Sequence, residues 1–130
     1  MANHILLVDD HRSFVQATGK FLERKGYRAT IAYDGIEALE EVEREVPDLI
    51  ILDIMMPHLD GWATLEQLQA KPRTAATPVL MLTALTGQED TVQSFRSGCT
   101  WFYAKPITDF EDFVLVIRSL LDRASSDPTN

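Results

Sequence analysis

The sequence predicts an α/β fold: a doubly wound, five-stranded parallel sheet with five helices on its two faces. Three observations point there. Short runs of four or five apolar residues alternate with segments whose apolar residues recur at helical spacing. This β-then-α pairing repeats five times in 130 residues, the signature of parallel strands joined by helical crossovers. Most of the runs are continuous apolar stretches with little alternation, which suits strands buried on both faces.

The runs come in order. His4-Ile5-Leu6-Leu7-Val8 is ended by Asp9 and Asp10, and Arg28-Ala29-Thr30-Ile31-Ala32 is weaker. Leu49-Ile50-Ile51-Leu52 is ended by Asp53, Val79-Leu80-Met81-Leu82 by Thr83, and Thr100-Trp101-Phe102-Tyr103-Ala104 by Lys105-Pro106. Between them, Phe14, Ala17, Thr18, Phe21 and Leu22 form a helical stripe stopped by Gly26. Ile36, Leu39 and Val42 form a second stripe, and Trp62, Leu65 and Leu68 a third. Gln88 to Gly98 is a weaker fourth, with Val92 and Phe95 as anchors. Phe113, Val114, Ile117, Leu120 and Leu121 make the fifth. Residues 1–124 read as one domain, and 125–130 as a loose polar tail or the start of a linker.

Composition narrows the function. A formal net charge of −8 repels phosphate backbones, so direct nucleic-acid binding is not expected. The single cysteine, Cys99, excludes an internal disulfide and a multi-cysteine metal site. The first residues lack a signal-peptide pattern, and no apolar stretch approaches the ~20 residues of a membrane span. The chain reads as cytoplasmic, without a membrane partner.

In a doubly wound sheet, sites form at the carboxyl ends of the strands. Four of the five runs end there in chemistry: Asp9 and Asp10, Asp53, Thr83, and Lys105. The second run leads only into Asp34-Gly35, which reads as an ordinary turn. Three converging carboxylates need a cation, and an oxygen ligand set without Cys or a clear His suggests Mg²⁺ or a similar hard ion. Lys105 can neutralise a phosphoryl oxygen, and the Thr83 hydroxyl can hydrogen-bond another. A carboxylate attacking phosphorus yields an aspartyl phosphate. Taken singly, Asp9 and Asp10 read as helix caps, Asp53 as a turn residue, Thr83 as a cap and Lys105 as a solvated lysine. Their shared position at matching strand ends favours a site.

Over nearly its whole length the sequence resembles a response-regulator receiver domain. The matching pieces are Leu7-Val8-Asp9-Asp10, Leu52-Asp53-Ile54-Met55-Met56-Pro57 followed by Asp60-Gly61, Met81-Leu82-Thr83-Ala84, and Lys105-Pro106. The resemblance implies a flavodoxin-like strand order 2-1-3-4-5, with Asp53 as phosphoacceptor. It implies Asp9, Asp10, Asp53 and the backbone carbonyl of Met55 as Mg²⁺ ligands. It implies Thr83 and Phe102 as switch residues, Lys105 as the pocket lysine and a cis bond before Pro106. Phosphoryl transfer would come from a sensor histidine kinase or a histidine phosphotransfer protein, and the output would pass to an effector the sequence does not name. Such a chain catalyses its own phosphorylation and dephosphorylation without turning over external substrates.

Departures from the family pattern also carry expectations. Phe102 stands where the family often has Tyr, so a switch through a Tyr hydroxyl is not expected. Trp101 stands where a large DNA-binding subfamily has an acidic residue in a dimer interface, and if exposed it reads as a partner anchor. Apolar Met55 and Leu85 flank the phosphoryl position and suggest slow hydrolysis. His11, Phe14 and Val15, with Val15 off the core stripe of its helix, form a docking patch for the kinase together with Pro106. A receiver-like module working without phosphorylation stays an alternative. An aspartate-nucleophile phosphatase needs its second Asp two residues on, whereas Asp9 and Asp10 are adjacent. A flavin or nucleotide domain needs a phosphate-cradling loop after the first strand, and Asp9-Asp10 repels phosphate there.

Overall fold

The apolar runs become the strands of one parallel sheet because each run can bury both of its faces. A computed structural model describes residues 3–56, 58–83 and 101–126, the side chains of 124–126 excepted. The strands are β1 (His4–Val8), β2 (Arg28–Ala32), β3 (Leu49–Asp53), β4 (Val79–Thr83) and β5 (Trp101–Ala104), in spatial order β2-β1-β3-β4-β5 with every pair parallel. The helices among the described residues are α1 (Arg12–Arg24), α2 (Gly35–Arg44), α3 (Gly61–Ala70) and α4 (Phe110–Ser126). The helix expected over Gln88–Gly98 lies outside the described residues, as do Leu85 and Cys99. The final helix runs through Ser126, two residues into the stretch expected to be loose.

Alternation along the three central strands divides the core in two. Ile5, Leu7, Leu49, Ile51, Leu80 and Leu82 meet α1 and α4 through Val15, Leu22, Phe113 and Ile117. Leu6, Val8, Ile50, Leu52 and Met81 meet α2 and α3 through Ala38, Val42, Leu65 and Leu68. Burial on both faces holds for β1, β3 and β4, whereas the edge strands β2 and β5 are only partly covered. The expectation that all five runs would be buried on both faces is therefore corrected at the edges.

Two helix faces differ from the predicted stripes. In α1 the buried residues are Val15, Thr18, Gly19 and Leu22, while Ala17 is exposed. In α2 they are Gly35, Ala38 and Val42, while Ile36 is 51% exposed. Small residues lie where neighbours come close: a Cβ on Gly19 would meet Ile31 and Leu7 of the sheet, and one on Gly35 would meet Thr64 and Leu59. The stripe of α4, by contrast, is as expected, with Phe113, Val114, Ile117, Leu120 and Leu121 all buried.

Asp34 is more than a turn residue. Its carboxylate accepts from the Glu37 N–H at 2.8 Å, and the Glu37 carboxylate reaches back to the Tyr33 N–H at 3.0 Å. This reciprocal cap starts α2. Asp60 caps α3 in the same sense, accepting from the Ala63 N–H at 2.9 Å. The turn from β3 into α3 then comes so close that a Cβ on Gly61 would lie 2.4 Å from the Asp53 carbonyl oxygen and 2.7 Å from the Ile54 Cα. Only glycine fits there. Gly61→Ala is expected to cost about 1–3 kcal/mol, the usual cost of forcing extra atoms into packed surroundings. Urea unfolding checks it: a lower midpoint at unchanged slope is expected, and an unchanged midpoint would contradict the close approach.

Candidate functional site

Strand register assembles the site. Val8 lies opposite Leu52, so Asp9 comes level with Asp53. Leu82 lies opposite Asp53, and Ala104 opposite Thr83. The ladder continues one step further, with the Lys105 N–H donating to the Thr83 carbonyl at 2.7 Å and the Ile54 N–H to the Leu82 carbonyl at 3.1 Å. Asp9, Asp53, Thr83 and Lys105 thus share one edge of the sheet. Asp9, Asp53 and Thr83 are all buried.

Among the described residues, Lys105 is the cation that faces the acids. The Lys105 Nζ lies 2.9 Å from Asp9 Oδ2 and 3.7 Å from Asp53 Oδ2, and it sits 4.8 Å above the Phe14 ring. The longer contact is outside hydrogen-bonding range. Asp53 Oδ2 consequently has no hydrogen-bond partner, although Asp53 is only 3% exposed. Burial pushes the Asp53 carboxyl up to about 6, and the Asp9 charge adds to the rise. Lys105 and a backbone hydrogen bond from Met55 oppose it, and Asp10 contributes a further small rise.

Ligand atoms of Asp9, Asp10, His11 and Asp53 lie within 4.8 Å of one another. Close carboxylates, two of them with an orphaned oxygen, are a donor set that fits a hard divalent cation. A Lys ammonium on the same edge suits an incoming phosphoryl oxygen.

The residues expected at a partner surface fare differently. Val15 is fully buried among Ile5, Leu7 and Leu22, so its place in a docking patch is corrected: it is core, turned inward by the true phase of α1. Phe14 is half-buried beneath Lys105. His11, Phe14, Lys105, Pro106, Ile107 and Phe110 line a cleft of about 380 Å³ beside the acids. The Lys105-Pro106 bond is cis, as the resemblance implies. Phe102 is half-buried against Met81 and its neighbours, and Trp101 is 53% exposed. The Met55 side chain is exposed. Sequence reasoning missed His11 as a member of the acidic cluster, where its Nδ1 stands 3.0 Å from Asp9 Oδ1. The signal was its adjacency to Asp9-Asp10 combined with its ligand chemistry.

Residues 5–118 match the family model described as the response regulator receiver domain. The chain belongs to this family. It is 40% identical over 92% of its length to the response regulator PleD of Caulobacter vibrioides, and 39% identical over 95% to the DNA-binding regulator RpaA of Synechocystis. It spans 26% of PleD and 51% of RpaA, so these relatives are considerably longer. Among solved structures it resembles the chemotaxis protein CheY4 of Vibrio cholerae, with a TM-score of 0.87 and 29% identity, covering 92% of this chain and 99% of that one. It also resembles the receiver domain of a histidine kinase from Syntrophus aciditrophicus, with a TM-score of 0.89 and 30% identity over 99% and 97% of the two chains. As a receiver domain it is a two-component signalling module.

The raised Asp53 value has a stability consequence. Between its ordinary value of 3.8 and about 6 the folded state binds the extra proton, so stability falls as pH rises through that window. Asp53→Asn removes the cost. In chelator-treated buffer the variant is expected to exceed the parent in stability by up to ~3 kcal/mol above about pH 6, and to converge with it below about pH 4. Chemical unfolding across pH checks this; a difference independent of pH would contradict it.

Proposed function

We propose that Asp53 is the phosphoacceptor of this receiver. The observation that carries the reading is its orphaned, buried oxygen between an acidic pair and a lysine at the end of a central strand. In the transfer, an Asp53 oxygen attacks phosphorus and forms a P–O bond. The P–N bond to the donor histidine breaks, and that imidazole keeps the electron pair and takes up a proton. Lys105 pairs with one phosphoryl oxygen and the Thr83 hydroxyl with another. Asp9, Asp10, Asp53 and the Met55 carbonyl would hold Mg²⁺, which supplies charge neutralisation between the carboxylates and the phosphoryl group. Little covalent chemistry is asked of the protein beyond positioning and charge.

The donor in this reading is a phosphohistidine on a sensor histidine kinase or a phosphotransfer protein in the cytoplasm. The cleft lined by His11, Phe14 and Pro106 is the surface offered to it. Thr83 and Phe102 relay the modified state, and exposed Trp101 anchors a downstream effector. Residues 1–124 act as the receiver unit, with 125–130 as a polar tail or the start of a linker. The chain modifies itself and does not turn over external substrates. No nucleic-acid contact is assigned to this segment, whose charge of −8 opposes it. No helix among the described residues is long and apolar enough to cross a membrane.

Intact-mass measurement with acetyl phosphate tests the reading. A Mg²⁺-dependent gain of a single phosphoryl group is expected, absent in Asp53→Asn. Lys105→Ala is expected to slow the gain on the order of 100-fold, the usual effect of removing a preorganised charge partner. If neither acetyl phosphate nor a phosphohistidine donor modifies the protein, it acts as an interaction module independent of phosphorylation. A gain that survives Asp53→Asn would move the acceptor elsewhere.

A further inference from the structure

We propose that His11 supplies an imidazole ligand to the acidic pocket, so that the pocket takes a borderline divalent ion such as Mn²⁺ through a mixed nitrogen and oxygen set. The inference rests on the reading of this pocket as a cation site, and adds the residue that sets which cation it prefers.

Position comes first. His11 precedes α1 at the N-cap with extended backbone, φ −81° and ψ 94°, and its side chain makes no capping hydrogen bond. The imidazole is therefore not committed to the helix. It points back to the acids instead, with Nδ1 at 3.0 Å from Asp9 Oδ1 and 3.7 Å from Asp10 Oδ1. Its side chain is 63% exposed, which leaves it room to turn.

The distances suit a shared ion. One ligand atom from each of Asp9, Asp10, His11 and Asp53 falls within 4.8 Å of the others. Trans ligands on an ion with ligand distances of about 2.1 Å stand about 4.2 Å apart, so small side-chain shifts would close the set. A separate observation points to a ligand there: Asp53 Oδ2 and Asp10 Oδ1 are both buried without a hydrogen-bond partner. Such atoms are costly unless something fills the space between them.

The nitrogen changes selectivity. Mg²⁺ takes oxygen ligands and gains little from an imidazole, whereas first-row transition ions accept one readily. Ligation needs a bare Nδ1, which the tautomer protonated at Nε2 provides. The same ring protonated at Nδ1 donates to Asp9, the alternative role in which His11 only orients a carboxylate. In that role its loss would weaken every cation alike.

Calorimetric titration of the full chain with Mn²⁺ and with Mg²⁺, in the parent, His11→Ala and His11→Gln, separates these cases, alongside pulsed EPR of bound Mn²⁺. Both variants are expected to bind Mn²⁺ about tenfold more weakly, Mg²⁺ within about twofold of the parent, and to lose a ¹⁴N coupling present in the parent. Equal weakening for both ions, or a parent spectrum without imidazole coupling, overturns the role of His11 and leaves the cation site standing. Failure of the parent to bind either ion overturns both.

Discussion

Mutual repulsion among carboxylates drawn to one end of a buried sheet is the constraint around which this structure is arranged. Asp9 and Asp53 sit at 2% and 3% exposure, where water cannot screen them well. Lys105 answers part of the charge, bonding Asp9 and leaving Asp53 short of a partner. The remainder shows as the raised Asp53 carboxyl, held back from ionising by burial and by Asp9. Such a pocket is not a stable resting arrangement of full charges, and a divalent cation is a group whose charge would relieve it.

The rest of the fold keeps that pocket from relaxing. Asp9 and Asp53 leave β1 and β3, which are buried along their full length and sealed on both faces by helices. A slip of one residue in either strand would turn each acid to the opposite face and exchange the side chains that fill the two cores. Beyond β3, the backbone of Gly61 presses against the Asp53 carbonyl, and the Asp60 cap fixes where α3 begins. Packing and capping thus set the position of the acids, and the acids in turn set the electrostatics.

Much of this was readable from residue order. Strand ends at Asp9, Asp53, Thr83 and Lys105 were legible because each apolar run stops abruptly at a polar group, and a parallel sheet brings such stops to one edge. The face of α4 was legible because large apolar residues mark it without exception. The faces of α1 and α2 were less so, since Gly19, Gly35 and Ala38 are buried where size, not hydrophobicity, decides. Val15 was misplaced because the stripe of α1 was phased on Phe14 and Ala17, whereas the buried face runs through Val15. The reciprocal cap of Asp34 and Glu37 follows the known spacing, yet the glycine after Asp34 makes it read as a turn. His11 in the acid cluster and the state of Asp53 depend on distances of a few ångströms, which residue order does not encode.

The central claim is that burial and neighbouring charge, relieved by a cation, govern Asp53. Its side-chain carboxyl can be followed directly by ¹³C NMR titration of aspartate-labelled protein, assigned through Asp53→Asn. The account predicts a midpoint near 6 in chelator-treated buffer and a clear downward move when Mg²⁺ is added. A midpoint in the ordinary carboxylate range near 3.8, unmoved by Mg²⁺, would contradict it.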